Sequence, residues 1–192
     1  LPKLEGLSEC YSEEIYKFYA DEFKGTDDEI ILAFYLSDND YNGFLESFLS
    51  DKNIITENYC KVYSAGAIVD LKILNDNLDS FEESMMTYMQ KLNNEDFLDE
   101  FNDKIFLDND LNMQSPIILD NYSNGLNIRS LVTLLKYNIN SEPLIMVCIL
   151  NLMVIKERLI FFAYFDKYNG YSSINLLQNK NDIFAKEILK IN

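Results

Sequence analysis

Histidine and tryptophan are absent from the 192-residue sequence, and the lack of histidine bears directly on function. Without an imidazole, the chain has no Ser–His–Asp or Cys–His nucleophile and no histidine-ligated zinc or haem. Arginine is scarce as well, since only Arg129 and Arg158 occur. No cluster of lysine and arginine is present that could displace counterions from phosphates, which argues against nucleic-acid binding and against anionic membrane surfaces.

Glycine and long apolar runs are also limited. The six glycines never cluster, so no glycine-rich phosphate loop is present, and no cofactor is predicted. The longest apolar run, residues 144–155, is much shorter than the roughly 20 residues of a membrane span. The first residue is Leu1 rather than methionine, which predicts an exported protein after signal cleavage. A trimmed cytoplasmic chain would look the same.

Three cysteines are present, and none forms a CxxC pair. This spacing excludes a thioredoxin-type motif and a zinc knuckle. Cys148 lies in an apolar run and is predicted to be a buried thiol. Cys10 and Cys60 could form a disulfide in an oxidising compartment, and two unrelated free thiols are the alternative.

The net charge of −16 is unevenly distributed along the chain. Residues 1–96 hold 21 acidic and 7 basic side chains, a net charge of −14, whereas residues 97–192 hold 11 and 9, a net charge of −2. One interpretation is that the excess of acidic side chains keeps the protein soluble. The other is a basic protein partner steered towards the N-terminal half, with Asp27, Asp28 and Glu29 as candidate contacts.

Apolar periodicity predicts an order of helices and strands. The predicted helices cover residues 12–25 (capped by Ser12), 38–49, 81–92 (opened by a Ser80 capping box), 95–106 and 173–191. The predicted extended segments cover residues 29–37, 59–74, 126–139, 144–155 and 158–165. Residues 144–155 are apolar at consecutive positions, so both faces of that strand must be covered. We therefore expect a single α+β domain over residues 1–192, a three-layer sandwich with a central antiparallel sheet between helices.

The second half resembles the PsbP-like family, which includes the photosystem extrinsic protein PsbP and the Mog proteins. LDSFEESMMTYMQKL resembles the family's long helix, and NYSNGLNIRSLVTLLKYNI resembles its strand entered through Asn-Gly. The strand–tight turn–strand of residues 143–168 and the final helix follow in the same order. The resemblance covers about residues 79–191, within a core of residues 54–192 after an N-terminal elaboration of residues 1–50. It implies a central antiparallel sheet and a non-catalytic docking role, and carries over no functional residue.

Three polar features of the sequence suggest further chemistry. Asp38, Asp40 and Asn42 have the spacing that opens a calcium loop, but Leu49 stands where the twelfth-position glutamate is required. The favoured interpretation is a helix start capped by Asp38 or Asp40, with no metal bound. Asn151 is predicted to be a buried amide satisfied by a neighbour, or else a pocket-lining group. Arg129 is predicted to pair with an acidic residue at a sheet edge, or else to bind an anion.

These observations favour an exported, non-enzymatic protein-binding or assembly module. One alternative is an acidic cytoplasmic inhibitor or immunity-type protein that binds a basic partner. A second alternative is an enzyme that uses only carboxylate, serine, tyrosine or lysine side chains, or a calcium-dependent protein.

Overall fold

The computed structural model describes residues 2–49, 56–105, 111–139 and 142–190. Within these residues the chain forms one antiparallel sheet of eight strands, together with five α-helices. The strands are β1 (Leu7–Glu9), β2 (Glu29–Ser37), β3 (Asn58–Ala65), β4 (Leu111–Met113), β5 (Ile117–Ser123), β6 (Ile128–Ile139), β7 (Glu142–Ile155) and β8 (Arg158–Lys167). The helices are α1 (Glu14–Asp21), α2 (Asp38–Leu49), α3 (Leu78–Lys91), α4 (Glu95–Ile105) and α5 (Tyr171–Leu189).

The sheet runs in the order β1-β2-β3-β8-β7-β6, and β4 and β5 both pair with the outer side of β6. The prediction that β6, β7 and β8 are consecutive antiparallel strands is confirmed. Strand β2 pairs with β3 over most of its length, so the N-terminal segment is part of the same sheet as the second half. The extended prediction for residues 59–74 holds only for β3, because turns follow Ala65.

Strand β7 is buried on both sides, as its sequence predicts. On one side, Val147, Ile149 and Met153 share a hydrophobic cluster with α5. The helical spacing of residues 173–191 predicts that Ile174, Leu177, Phe184, Ile188 and Ile191 face inward. The first four of these lie in this cluster together with Ala185, and Ile191 lies outside the described residues. On the other side, Met146 and Cys148 belong to a second cluster.

The second cluster is rich in aromatic residues and packs under the N-terminal helices. Tyr16 and Tyr19 of α1 contact Phe44 of α2, with ring centroids 4.5 and 5.0 Å apart. Leu98 of α4 joins the same cluster. Leu78 of α3 packs in a smaller cluster with residues of β7 and β8, among them Leu152, Val154 and Leu159. Four helices therefore contribute to the core on this side, while α5 packs on the other.

Several helix-start predictions are wrong. Ser12 does not cap α1, because its hydroxyl donates to Glu9 Oε2. Ser80 lies inside α3, which begins two residues earlier at Leu78. The cap of α2 is Ser37, whose Oγ accepts a hydrogen bond from the Asp40 N–H at 3.1 Å. The helical spacing of Ile15, Phe18, Tyr19 and Phe23 predicts that Phe18 faces the core, but Phe18 is 66% exposed because Tyr16, Tyr19 and Ala20 are the buried residues of this helix.

Candidate functional site

The proposed calcium-loop residues belong to a regular helix. Asp38 Oδ1 accepts a hydrogen bond from Ser8 Oγ at 2.8 Å, and the Asn42 side chain donates to the Asp38 carbonyl at 2.6 Å. A calcium loop needs these oxygens to converge on one point, which a helix that starts at Asp38 prevents. Among the described residues, no group of three or more cysteine, aspartate or glutamate side chains is placed to hold a metal ion.

The three cysteines are free, buried thiols. Cys10 belongs to the cluster under α1 and α2, and its sulfur donates to the Phe34 carbonyl at 3.3 Å. Cys60 belongs to the cluster under α5. The sheet therefore lies between the two sulfurs, and the Cys10–Cys60 disulfide considered from the sequence is not formed in this structure.

The predicted partner contacts Asp27, Asp28 and Glu29 do not share one environment. Asp27 and Asp28 are exposed in the loop between α1 and β2, whereas Glu29 is buried. The Asp28 side chain accepts a hydrogen bond from the Ala67 N–H at 3.2 Å, and its carbonyl accepts one from Gly66. Glu29 is therefore excluded as a surface contact, and only its two neighbours face solvent.

Glu29 forms a buried ion pair with Lys61 of β3. Lys61 Nζ lies 2.6 Å from Glu29 Oε1 and donates to the Phe23 carbonyl at 2.8 Å. The Gly25 N–H donates to Glu29 Oε2 at 3.1 Å. Burial lowers the pKa of the Lys61 ammonium, while the Glu29 carboxylate opposes that shift. The pair fastens the loop between α1 and β2 onto the sheet, and both side chains are too deeply buried to face a ligand.

An open groove of about 420 Å³ lies between α3 and β5. We call it the acidic groove, and its lining residues are Asp79, Glu82, Glu83, Met86, Thr87, Gln90 and Asn121. The Asn121 side chain donates to Glu82 Oε1 at 3.2 Å, which joins the two walls. The sequence does not reveal this groove, because Asn121 is far from α3 along the chain.

Arg129 projects from β6 towards α3 at the same place. Its Nη2 lies 2.7 Å from Asp79 Oδ1, and its Nε lies 3.7 Å from Glu82 Oε2. The predicted acidic pairing is confirmed. The predicted edge position is wrong, because β6 pairs with β5 on one side and β7 on the other.

Asn151 is a buried, satisfied amide, as the sequence suggests. Its Nδ2 donates to Asn181 Oδ1 at 2.8 Å, and the Asn181 amide donates back to Asn151 Oδ1 at 3.0 Å. The Ser130 hydroxyl also donates to Asn151 Oδ1, and Asn151 Nδ2 also donates to the Phe162 carbonyl. This arrangement ties α5 to the sheet and leaves no amide group to line a pocket.

No helix in the described ranges is both long enough and apolar enough to cross a membrane. No protein-family model, curated protein or solved structure matches the chain. The functional argument therefore depends on the acidic groove and its surroundings.

Proposed function

We propose that the protein is a non-enzymatic binding module that docks a basic protein segment in the acidic groove. The observation that carries this proposal is the set of three carboxylates of one helix, Asp79, Glu82 and Glu83, that line an open groove beside Met86. Lysine and arginine side chains combine a cationic head with an apolar stem, so carboxylates beside an apolar side chain suit them.

Arg129 illustrates this recognition within the chain itself. Its guanidinium contacts Asp79 and Glu82, and this internal pairing supports the proposal that carboxylates of the groove wall can bind an arginine side chain. Glu83 is exposed on the same helix and lines the groove, whereas Asp79 and Glu82 already lie against Arg129, so Glu83 is the carboxylate most open to an incoming cation. We therefore expect Glu83 to contribute more than Asp79 or Glu82 to binding.

The lining favours binding over catalysis. The one hydroxyl among the lining residues belongs to Thr87, and it donates to the Glu83 carbonyl within α3. Glu82 and Glu83 are adjacent on a helix and point in different directions, so they do not form an acid–base pair. The groove thus lacks a nucleophile paired with a base.

Binding of a basic segment by the acidic groove fits both functions considered from the sequence, an exported assembly module and an inhibitor of a basic protein inside the cell.

We also propose a three-layer, PsbP-like arrangement as the fold relationship. It is supported by the order of α3, then β6, β7 and β8, then α5, and by core clusters on both sides of β7.

The test is binding of a labelled lysine-rich peptide, measured by fluorescence anisotropy. Glu83→Lys should weaken binding about tenfold, because it replaces attraction with repulsion inside the groove. The matched control is Glu187→Lys on α5, which adds the same charge on the other side of the sheet and should change binding little. Raising salt from about 0.05 to 0.5 M should weaken binding by screening. Equal effects of the two variants, or binding insensitive to salt, would show that the acidity serves solubility instead.

A further inference from the structure

Strand β5 forms an open edge of the sheet. Among the residues that the structure describes, β5 pairs with β6 alone, so alternate residues of β5 point their backbone N–H and C=O groups away from β6. Ile117 and Leu119 are 58% and 40% exposed in the first half of this strand. An unpaired edge of this kind is a template on which another extended chain can pair.

The acidic groove runs along this edge. Helix α3 and β5 point in opposite directions, because the Ser115 hydroxyl donates to the Leu92 carbonyl at the end of α3 at 3.0 Å, whereas Asn121 donates to Glu82 near its start. The lining residues of α3 form one stripe of residues 79–90, a rise of about 16 Å along the helix. This length corresponds to about five residues of an extended strand, so an extended segment fits along the groove.

The carboxylates of the acidic groove lie at one end of it. Asp79, Glu82 and Glu83 belong to the first two turns of α3, next to Asn121 of β5, and Arg129 offsets one of the three charges. The rest of the α3 lining is uncharged: Met86, Thr87 and Gln90. A ligand with basic residues at one end and apolar residues at the other therefore matches the groove.

Charged groups around the groove keep this polarity. On the opposite face of β5, Asp120 accepts a hydrogen bond from Gln178 at 3.5 Å, and Tyr122 donates to Asp182 at 2.9 Å. Lys186 follows Asp182 by one turn on α5. Past the uncharged half, the segments that follow carry two bases and two acids: Lys91, Lys136, Glu95 and Asp96. The carboxylates of α3 thus remain the acidic end.

We propose that the acidic groove binds its basic segment as an extended strand paired antiparallel with β5, an inference that rests on the proposed function. Every strand pair of the described sheet is antiparallel, and antiparallel pairing is the more stable form. In this orientation the first residues of the segment lie beside the carboxylates, and the last residues lie beside Ile117 and Leu119. The partner is therefore a protein segment in which lysine or arginine precedes β-branched apolar residues.

The experiment is fluorescence anisotropy of the full chain with two labelled peptides whose termini are blocked. Lys-Thr-Lys-Thr-Val-Thr-Val places its lysines beside the carboxylates when it pairs antiparallel with β5. Val-Thr-Val-Thr-Lys-Thr-Lys has the same composition in the reverse order and is the matched control. The first peptide should bind roughly three- to tenfold more tightly, because the reversed peptide must pair parallel to reach the same carboxylates.

Backbone methylation of the first peptide tests the strand pairing directly. In an added strand, alternate residues donate their N–H groups to β5 and the others point theirs to solvent. N-methylation of one alternate set should weaken binding about tenfold, because hydrogen bonds to β5 are lost, and N-methylation of the other set should change binding little.

A variant of the edge itself provides a second test. Leu119→Lys should weaken binding several-fold, because a lysine on an edge strand opposes pairing and repels a basic segment. The matched control is Leu176→Lys, which alters a leucine that is 57% exposed on α5 and should leave binding unchanged.

The outcomes separate this inference from the proposed function. Equal binding of the two peptides, or equal effects of the two methylation patterns, would overturn strand addition. If the peptides then still lose affinity on Glu83→Lys and at raised salt, the acidic groove binds a basic segment in another conformation and the proposed function stands. Absence of binding by either peptide would overturn both proposals.

Discussion

At the scale of single residues, buried polar groups hold the helices and loops onto the sheet. Asn151 and Asn181 exchange two amide hydrogen bonds between β7 and α5. The ion pair between Lys61 of β3 and Glu29 holds the loop between α1 and β2 against the sheet. Buried polar groups of this kind are costly unless every partner is present, so each set specifies one packing arrangement.

Removing one member of the Lys61–Glu29 pair should strongly destabilise the fold. Lys61→Met leaves the Glu29 carboxylate buried without its cation, and we expect a loss of about 3–5 kcal/mol in the free energy of unfolding. Urea denaturation followed by circular dichroism measures this change.

The double variant Lys61→Met with Glu29→Met tests whether charge is the cause. Replacing both charges with apolar side chains of similar size removes the unpaired carboxylate, so most of the lost stability should return. A double variant no more stable than Lys61→Met would mean that the pair acts through packing and hydrogen bonds to Phe23 and Gly25 instead.

The environments of some of these residues can be predicted from the sequence, and those of others cannot, for a physical reason. Asn151 stood out because an amide interrupts an apolar strand, and Arg129 because arginine is scarce. Glu29 was misplaced on the surface because its partner, Lys61, comes 32 positions later. Only the pairing of β2 with β3 brings them together.

At the scale of elements, the β7–β8 turn departs from the residues that its geometry favours. Lys156 and Glu157 have φ values of 49° and 61°, the left-handed region that a two-residue type I′ turn requires. Asparagine and glycine adopt this region at lower cost than lysine and glutamate.

Replacing the pair by Asn-Gly should therefore stabilise the protein. We expect Lys156→Asn with Glu157→Gly to raise the free energy of unfolding by about 1–2 kcal/mol, measured by urea denaturation. The control is Lys156→Gln with Glu157→Gln, which removes the same charges without relieving the backbone, and its effect should be small. If the control stabilises as much as Asn-Gly, charge rather than backbone conformation is responsible.

Strong apolar patterns made the long elements predictable, and weak patterns hid the short ones. Residues 29–37 were predicted as a strand with the bounds that β2 has. Strands β1 and β4 have three residues each, too few to show a period. Strand β5 leaves Ile117 and Leu119 exposed, so pairing with β6 rather than burial makes it a strand.

At the scale of the whole molecule, the acidic groove depends on tertiary contacts. It needs β5 to lie next to α3, and that neighbourhood follows from β5 joining the outer side of β6. The sequence predicted an acidic partner surface but assigned it to Asp27, Asp28 and Glu29, because charge counts along the chain do not show which acids share a groove.

Burial of all three thiols gives the whole molecule a predicted sensitivity to alkaline pH. Burial raises the pKa of Cys10 and of Cys148 to about 12, and raises that of Cys60 well above its ordinary value. In the unfolded chain these thiols ionise near pH 9, while the folded chain keeps their protons. The folded state thus binds more protons above about pH 9, so the stability that these thiols contribute is complete below that pH and is lost as pH rises towards 12.

Each thiol should contribute a slope of about 1.4 kcal/mol per pH unit, or about 4 kcal/mol per unit for the three together. Urea denaturation under reducing conditions at pH 8, 9, 10 and 11 measures the free energy of unfolding. Cys60→Ala should reduce the slope above pH 9 by about 1.4 kcal/mol per pH unit, because one thiol no longer titrates. The matched control is Tyr171→Phe, which removes an exposed phenol and should leave the slope unchanged. A free energy of unfolding that stays constant from pH 8 to 10 would mean that the thiols reach solvent and ionise in the folded protein.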